Sequence, residues 1–264
     1  MNRTALPPKQ EKRLLEFSKK VGRGINRFDM IRDGDKVLLG ISGGKDSLCL
    51  ALALALRLFR VPITYTLSAV FIEWKEFPID PGQKNALQAF FSRLNLPLKI
   101  VRAQMFPPSF CNKFNCYLCA RNKKRILFNE ARAQGMGKIA LGHHLDDFVE
   151  TTLMNMFFQG EFSTMMPVQS FFKGALQIIR PLCEVTEKEI ERIVRIVDPP
   201  VISINCPNKE RNLRVLMKEM IRKLSRVNKR VRENIYNLPW RINEKYLPVG
   251  LNHEYKYRSM NLKK

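Results

Sequence analysis

The sequence predicts an α/β protein: an open, mostly parallel five-stranded sheet with helices on both faces. Three observations predict it. Short apolar runs rich in β-branched residues alternate with longer stretches of helical period, the pattern of strands joined by helical crossovers. Polar, glycine-bearing clusters follow the first and fourth runs, at strand ends where such sheets carry ligands. The chain has 264 residues, 45% hydrophobic and 27% charged, the length and balance of one large globular domain with attachments.

The strands are KVLLGI (36–41), ITYTLSAVFI (63–72), LPLKIVRA (96–103), KIALGH (138–143) and ALQIIRPL (175–182). Between them, 47–59, 83–94, 117–134 and 147–159 space their apolar side chains as helices do. TEKE at 186–189 is a capping box, with Thr186 as N-cap and Glu189 reaching back; the helix it opens ends at DPP, after Val197. From Asn212 a long basic helix is expected, with Leu213, Leu216, Met217, Met220, Ile221 and Leu224 as its packing stripe. LCLALALALRLF (48–59) is the most apolar run; at 12 residues it is too short to span a bilayer and reads as buried helix. The N-terminal MNRTALPPKQEKRLLEF lacks the apolar stretch of a signal peptide, so a cytoplasmic protein without a membrane partner is expected.

Charge divides the chain. The net charge of +22 arises from 46 Lys and Arg against 24 Asp and Glu. Residues 1–36 carry 10 basic and 5 acidic side chains, 208–264 carry 16 and 5, and everything between carries 20 and 14. Three parts are therefore expected: a basic helical N-terminal extension (1–34), a catalytic or ligand-binding core (35–207), and a basic C-terminal helical region and tail (208–264). A protein this basic meets a polyanion, and nucleic acid is the expected partner.

Chemistry concentrates in three places. SGGKDS joins the first strand to the first helix of the core. Gly43 and Gly44 let backbone N–H groups approach an anion, and the helix adds unpaired N–H groups and the positive end of its dipole. Ser42 and Ser47 offer hydroxyls, and Lys45 offers charge. The stretch is neither GxxxxGK[ST] nor GxGxxG. Asp46 is placed to hold Mg²⁺ or to cap the helix. GHHLDD follows the fourth strand. There Asp146 and Asp147 can ligate Mg²⁺, hold a substrate base or cap the next helix, and His143 or His144 can touch phosphate or act as an acid. Two adjacent histidines diverge on extended backbone, which argues against a shared metal.

The third place is NCYLCARNKKR (115–125). Cys116 and Cys119 form CxxC, which alone fits zinc, an iron–sulfur cluster or a redox dithiol. Structural zinc needs four ligands, and Cys111, Cys116, Cys119 and Cys206 can supply them. A cluster held by three thiolates leaves one iron open. Cys49 and Cys183 read as core. Lys123 follows Cys119 by one helical turn and so can project to the same side.

SGGKDS resembles the fingerprint of the N-type ATP pyrophosphatases, the PP-loop family, and GHHLDD looks like the second motif of its tRNA-modifying members. Taken in order with the CxxC, IIRPLCEVTEKEIERI and NCPNKERNLR, the pattern over residues 20–225 resembles the tRNA 2-thiocytidine synthetases of the TtcA type. That resemblance implies an adenine nucleotide alpha hydrolase-like fold, ATP and Mg²⁺ at the loop, and adenylation of a base carbonyl, C2 of cytidine, with release of pyrophosphate. It implies a 4Fe–4S cluster on Cys116, Cys119 and Cys206 as the sulfur carrier, and a basic catalytic residue at Lys123. It also implies adenine cupped by the second strand at Ala69, Val70 and Phe71, nucleotide contacts from Gly142 and His143, and an ATP or tRNA phosphate contact from Arg180. The partners implied are tRNA, a sulfur donor such as a cysteine desulfurase, and a second copy in a homodimer. Two departures stand out. Ser203, Ile204 and Asn205 occupy the place where the family often has a further cysteine, and the spacing from Cys206 to Asn212 is one residue longer. The rivals are a 2-thiouridine-forming relative and a non-catalytic nucleic-acid-binding zinc protein on four cysteines; the intact SGGKDS and GHHLDD favour an enzyme.

Overall fold

A computed structural model describes residues 7–106, 116–202 and 213–246. The strands are β1 (Lys36–Ile41), β2 (Thr66–Trp74), β3 (Leu98–Ala103), β4 (Lys138–Leu141), β5 (Val168–Phe171) and β6 (Leu176–Ile179). They form one six-stranded sheet in the order β3-β2-β1-β4-β6-β5. All neighbours are parallel except β5, which pairs antiparallel with β6 at the edge. β5 is one strand more than the sequence predicts. VQSF is short, half polar and nowhere fully buried, so it carries no apolar run to mark it.

The chain runs outward from β1 through β2 to β3, then returns to the other side of β1 at β4. The switch point between β1 and β4 brings the SGGKDS and GHHLDD loops side by side.

The helices are α1 (Pro8–Arg27), α2 (Lys45–Leu58), α3 (Pro81–Arg93), α4 (Cys116–Ala133), α5 (Leu145–Met154), α6 (Glu187–Val197), α7 (Leu213–Val227) and α8 (Val231–Asn237). Both sheet faces are covered, as a parallel sheet requires. Val37, Leu39 and Ile41 of β1 enter a large core with α1, α2, α3, α5 and α6. Leu38 enters a smaller one that α4 closes through Ala131. α2 is buried from Ser47 through Ala55, which explains why its sequence is apolar on every side. α1 is part of the main core, because Leu14, Phe17, Val21 and Ile25 repeat at helical spacing and are all buried. Thr186 and Glu189 form the expected capping box at the start of α6. The expected long basic helix is instead α7 and α8, broken where the Asn228 side chain accepts the Arg230 N–H at 2.9 Å. Of its stripe, Met217 and Ile221 are buried, while Leu213, Leu216 and Leu224 remain exposed.

The β5–β6 hairpin turns through Phe172, Lys173 and Gly174, with φ of +53°, +55° and +93°. Left-handed backbone costs a non-glycine residue about 1–2 kcal/mol, so Phe172 and Lys173 are held against preference. Among the described residues, no helix is long and apolar enough to cross a membrane.

Candidate active site

The SGGKDS loop is tied to itself. The Ser42 N–H donates to Ser47 Oγ at 3.2 Å, the Gly44 N–H donates to Ser42 Oγ at 3.3 Å, and the Ser47 hydroxyl donates to the Gly44 carbonyl at 2.9 Å. Gly43 has φ +81°, and a Cβ there would lie 2.9 Å from Ile202 Cβ and 3.3 Å from Phe71 Cε2. Both conformation and space therefore demand glycine. The Ile202 N–H donates to the Gly43 carbonyl at 2.9 Å, pinning the loop from the far side. Across the switch point, a Cβ on Gly142 would lie 2.9 Å from the Ser47 backbone nitrogen. The second loop thus rests directly on the N-terminus of α2.

The two loops open into a cavity of about 540 Å³. Of the residues singled out from sequence, Ser42, Asp46, Ser47, Lys123, Gly142, His143, Asp147 and Arg180 line it. Gly43 and Gly44 shape the loop and do not line the cavity. Lys45 is turned to Glu187 at 2.9 Å and Asp46 at 3.2 Å, so its charge is committed to carboxylates. Ala69, Val70 and Phe71 are buried within the sheet; the β2 residue on the cavity wall is Ile72, next to Gly40 and Ile41 of β1. Phe71 reaches the site only from beneath, against Gly43.

The two aspartates separate. Asp147 faces the cavity, accepts the His144 N–H at 2.9 Å, and is held by Arg214 at 2.8 Å. Asp146, expected beside it as a catalytic group, points the other way. Its carboxylate accepts the Glu187 N–H at 2.7 Å and Arg232 Nε at 2.9 Å, joining α5 to the start of α6 and to α8. The reason is helical geometry: consecutive residues diverge by about 100°. The histidines diverge as well. His143 is on the wall, while His144 is buried beneath it, with Nε2 3.8 Å from Asp46 and Nδ1 3.5 Å from Asp147.

Cys116 and Cys119 occupy the first turn of α4. Ala120 and Lys123, one turn on, line the cavity, so the CxxC lies at its lip. Cys116 is exposed and Cys119 half-buried. Cys111 and Cys206 lie outside the described residues. Described residues on either side of the segment that holds Cys206 border the site: Ile202, immediately before it, lies against Gly43, and Arg214, two residues after it, is on the cavity wall. Cys49 and Cys183 are buried, and burial pushes each thiol up to about 12, the behaviour of core cysteines.

Burial and the nearby Arg180 guanidinium bring His143 down to about 4, so its imidazole is neutral near pH 7. Burial works to raise Glu187, but hydrogen bonds from Lys45 and Lys218 prevail and hold it at about 2. Lys124, Arg214 and Glu187 belong to the site although the sequence reading did not single them out. Lys124 lines the cavity beside Lys123, and both Arg180 and burial lower its pKa, burial the more. Helical spacing from Ala120 was the signal for Lys124. For Arg214 there was none, because a sequence does not say which carboxylate a basic helix will meet. Lys123, Lys124, Arg180 and Arg214 against Asp46 and Asp147 give the wall a positive balance suited to a polyphosphate. Among the described residues, no group of three or more His, Cys, Asp or Glu is poised around one metal. Asp46 and Asp147 are the carboxylates on the wall, Asp46 paired with Lys45 and Asp147 with Arg214.

A parallel sheet with its site at the switch point and a glycine–serine loop opening α2 defines a PP-loop protein. Residues 8–200 match the family model described as a PP-loop domain. Among curated relatives, a tRNA-cytidine(32) 2-sulfurtransferase of Geobacter metallireducens is 36% identical over 85% of this chain and 89% of its own length. Another, of Methylobacillus flagellatus, is 32% identical over 91% and 80%. A solved U34-tRNA thiolase of Methanococcus maripaludis, determined with its 4Fe–4S cluster, shares the fold, with a TM-score of 0.71 at 21% identity over 86% of this chain and 78% of that one. The chain belongs to the PP-loop family and, within it, to the tRNA-cytidine(32) 2-sulfurtransferase family.

Proposed function

We propose that this protein is an ATP-dependent tRNA sulfurtransferase that replaces the C2 oxygen of a cytidine with sulfur. The observation that carries the reading is one cavity bordered by the phosphate loop, Asp147 and the CxxC helix. The base oxygen attacks the α-phosphorus of ATP and pyrophosphate leaves. Sulfide then attacks C2 and AMP departs with the former base oxygen. Adenylation is needed because a carbonyl oxygen is otherwise a poor leaving group.

The chain's own groups have separable tasks. The N–H groups at the start of α2, with Ser42 and Ser47, receive phosphate oxygens. Asp46 would be the protein carboxylate that holds Mg²⁺, whose charge would offset that of the phosphates. Lys123, Lys124 and Arg180 oppose the charge that builds as pyrophosphate leaves. Asp147 orients the base, and Arg214 and the His144 N–H keep its carboxylate from rotating. Neutral His143 offers a hydrogen bond without adding a further positive charge to the wall. Cys116 and Cys119 set two thiols a turn apart at the lip and would be two of the thiolates of an iron–sulfur site, with Cys206 as the third. A 4Fe–4S cluster bound there would supply sulfur at an iron free of protein ligands. tRNA is the substrate, the sulfide is supplied by a donor of the cysteine desulfurase kind together with a thiol that reduces the sulfur it carries, and the protein works as a homodimer in the cytoplasm.

The test uses protein purified without oxygen, restored with iron and sulfide, and supplied with Mg-ATP and unmodified tRNA. Nucleoside mass spectrometry is expected to find 2-thiocytidine, with one AMP and one pyrophosphate per sulfur. 2-Thiouridine in its place would move the enzyme to the uridine branch. Zinc without iron, and no thionucleoside, would leave a zinc-held RNA-binding protein.

A further inference from the structure

We propose that the exposed ring of Phe172, backed by Phe128, which Phe171 holds in turn, is a stacking platform for the tRNA base next to the one held in the cavity. The inference rests on the reading that tRNA is the substrate.

Four observations converge. Phe172 is 66% exposed, so burial does not explain its presence. It and Lys173 are held in left-handed backbone at φ +53° and +55°, where glycine or asparagine would rest more easily. Strain of this kind, kept at a displayed side chain, points to function. Phe172 also continues the site outward. Its ring meets Phe128 edge-on with centroids 5.5 Å apart, and Phe128 lines the cavity. Phe171 packs on Phe128 from the same hairpin at 5.1 Å, so the displayed ring is supported from behind. The surroundings carry the right charge. Lys124 lies 4.0 Å from the centre of the Phe171 ring and also lines the cavity, and Lys173 is exposed beside Phe172.

An aromatic face flanked by ammonium groups at the mouth of a nucleotide site matches single-stranded RNA chemistry. A base pulled into a cavity leaves its neighbour unstacked, and an aromatic side chain replaces the lost stacking partner whatever that base is. The phosphate between the two bases would meet the lysines. An apolar protein partner would gain nothing from the two charges.

The test compares the full-length protein with Phe172→Asn, Phe172→Trp and Phe172→Leu, using fluorescence anisotropy with labelled unmodified tRNA, urea denaturation and ATP binding. Phe172→Asn is expected to bind tRNA about 5- to 20-fold more weakly. The same variant is expected to keep ATP affinity and to be as stable as the parent or more so, because asparagine tolerates the left-handed turn. Phe172→Trp is expected to bind within about twofold of the parent, and Phe172→Leu to fall with the asparagine variant. Unchanged tRNA affinity in Phe172→Asn while the parent binds would overturn the platform and leave the proposed function standing. Lost affinity accompanied by lost stability would make Phe172 structural and overturn it too. A parent protein with no affinity for tRNA would overturn the function and the platform together.

Discussion

A methyl group on Gly142 would meet the Ser47 nitrogen at 2.9 Å, and the atoms it would push are backbone atoms of the phosphate loop. Gly142→Ala is therefore expected to shift the start of α2 and reduce thiolation about 100-fold, while costing about 1–3 kcal/mol of stability. Single-turnover kinetics and urea denaturation on the same preparation separate the two. Glu150 gives a pH signature. It is almost wholly buried, and burial, with Asp147 adding to it against Lys218, raises its pKa from 4.5 to about 7. A carboxyl whose pKa is raised on folding binds its proton more tightly in the folded chain. Its stability contribution is thus complete below pH 4.5, falls as pH rises to 7, and is flat above. Glu150→Gln is expected to remove that slope and to gain about 2–3 kcal/mol at pH 8, read from urea midpoints at pH 5, 6, 7 and 8. Glu187 acts in the opposite window. Its pKa is depressed to about 2, so the stability it contributes is present above 4.5 and lost as pH falls toward 2.

At the scale of elements, α7 and α8 are clamped over the acidic edge of the site. Arg214 holds Asp147, Lys218 holds Glu187, and Arg232 holds Asp146. Arg232→Ala would leave the buried Asp146 with one hydrogen bond and no counter-charge. It is expected to cost about 2–3 kcal/mol, and Asp146→Asn in the same chain to recover part of that loss, measured as a double-mutant cycle. This clamp also marks where sequence reading stops. β1, α2 and the two loops were legible because apolar period and glycine placement are local properties: a buried helix must be apolar all round, and a strand-to-helix turn over an anion must contain glycine. α1 was legible as a helix but not as core, since +5 on residues 1–36 drew attention to its solvent face. The direction of Asp146 and the partners of Arg214 and Lys218 depend on how distant helices meet. No local pattern encodes that, and the same is true of β5, which is a strand only because β6 offers it an edge.

For the whole molecule, the clamp changes what a net charge of +22 means. Part of the basic C-terminal charge is spent on the protein's own carboxylates, and only the remainder faces solvent. Lys223 and Arg226 on α7 are exposed, whereas Lys218 on the same helix is bound to Glu187 at 3.0 Å. RNA affinity from phosphate contacts falls with salt in proportion to the number of contacts, so the slope counts the cations that touch RNA. Raising salt from 50 to 200 mM is expected to weaken tRNA binding by about 10²–10³, which corresponds to fewer contacts than the charge alone suggests. Replacing Lys223 and Arg226 together by glutamine is expected to flatten the slope of log affinity against log salt by about 1–2. Lys218→Gln is expected to leave that slope as it was and to lower stability instead, because its charge already has a partner. A Lys218→Gln variant whose salt slope fell as far as that of the double variant would show that α7 releases Glu187 and turns toward RNA on binding.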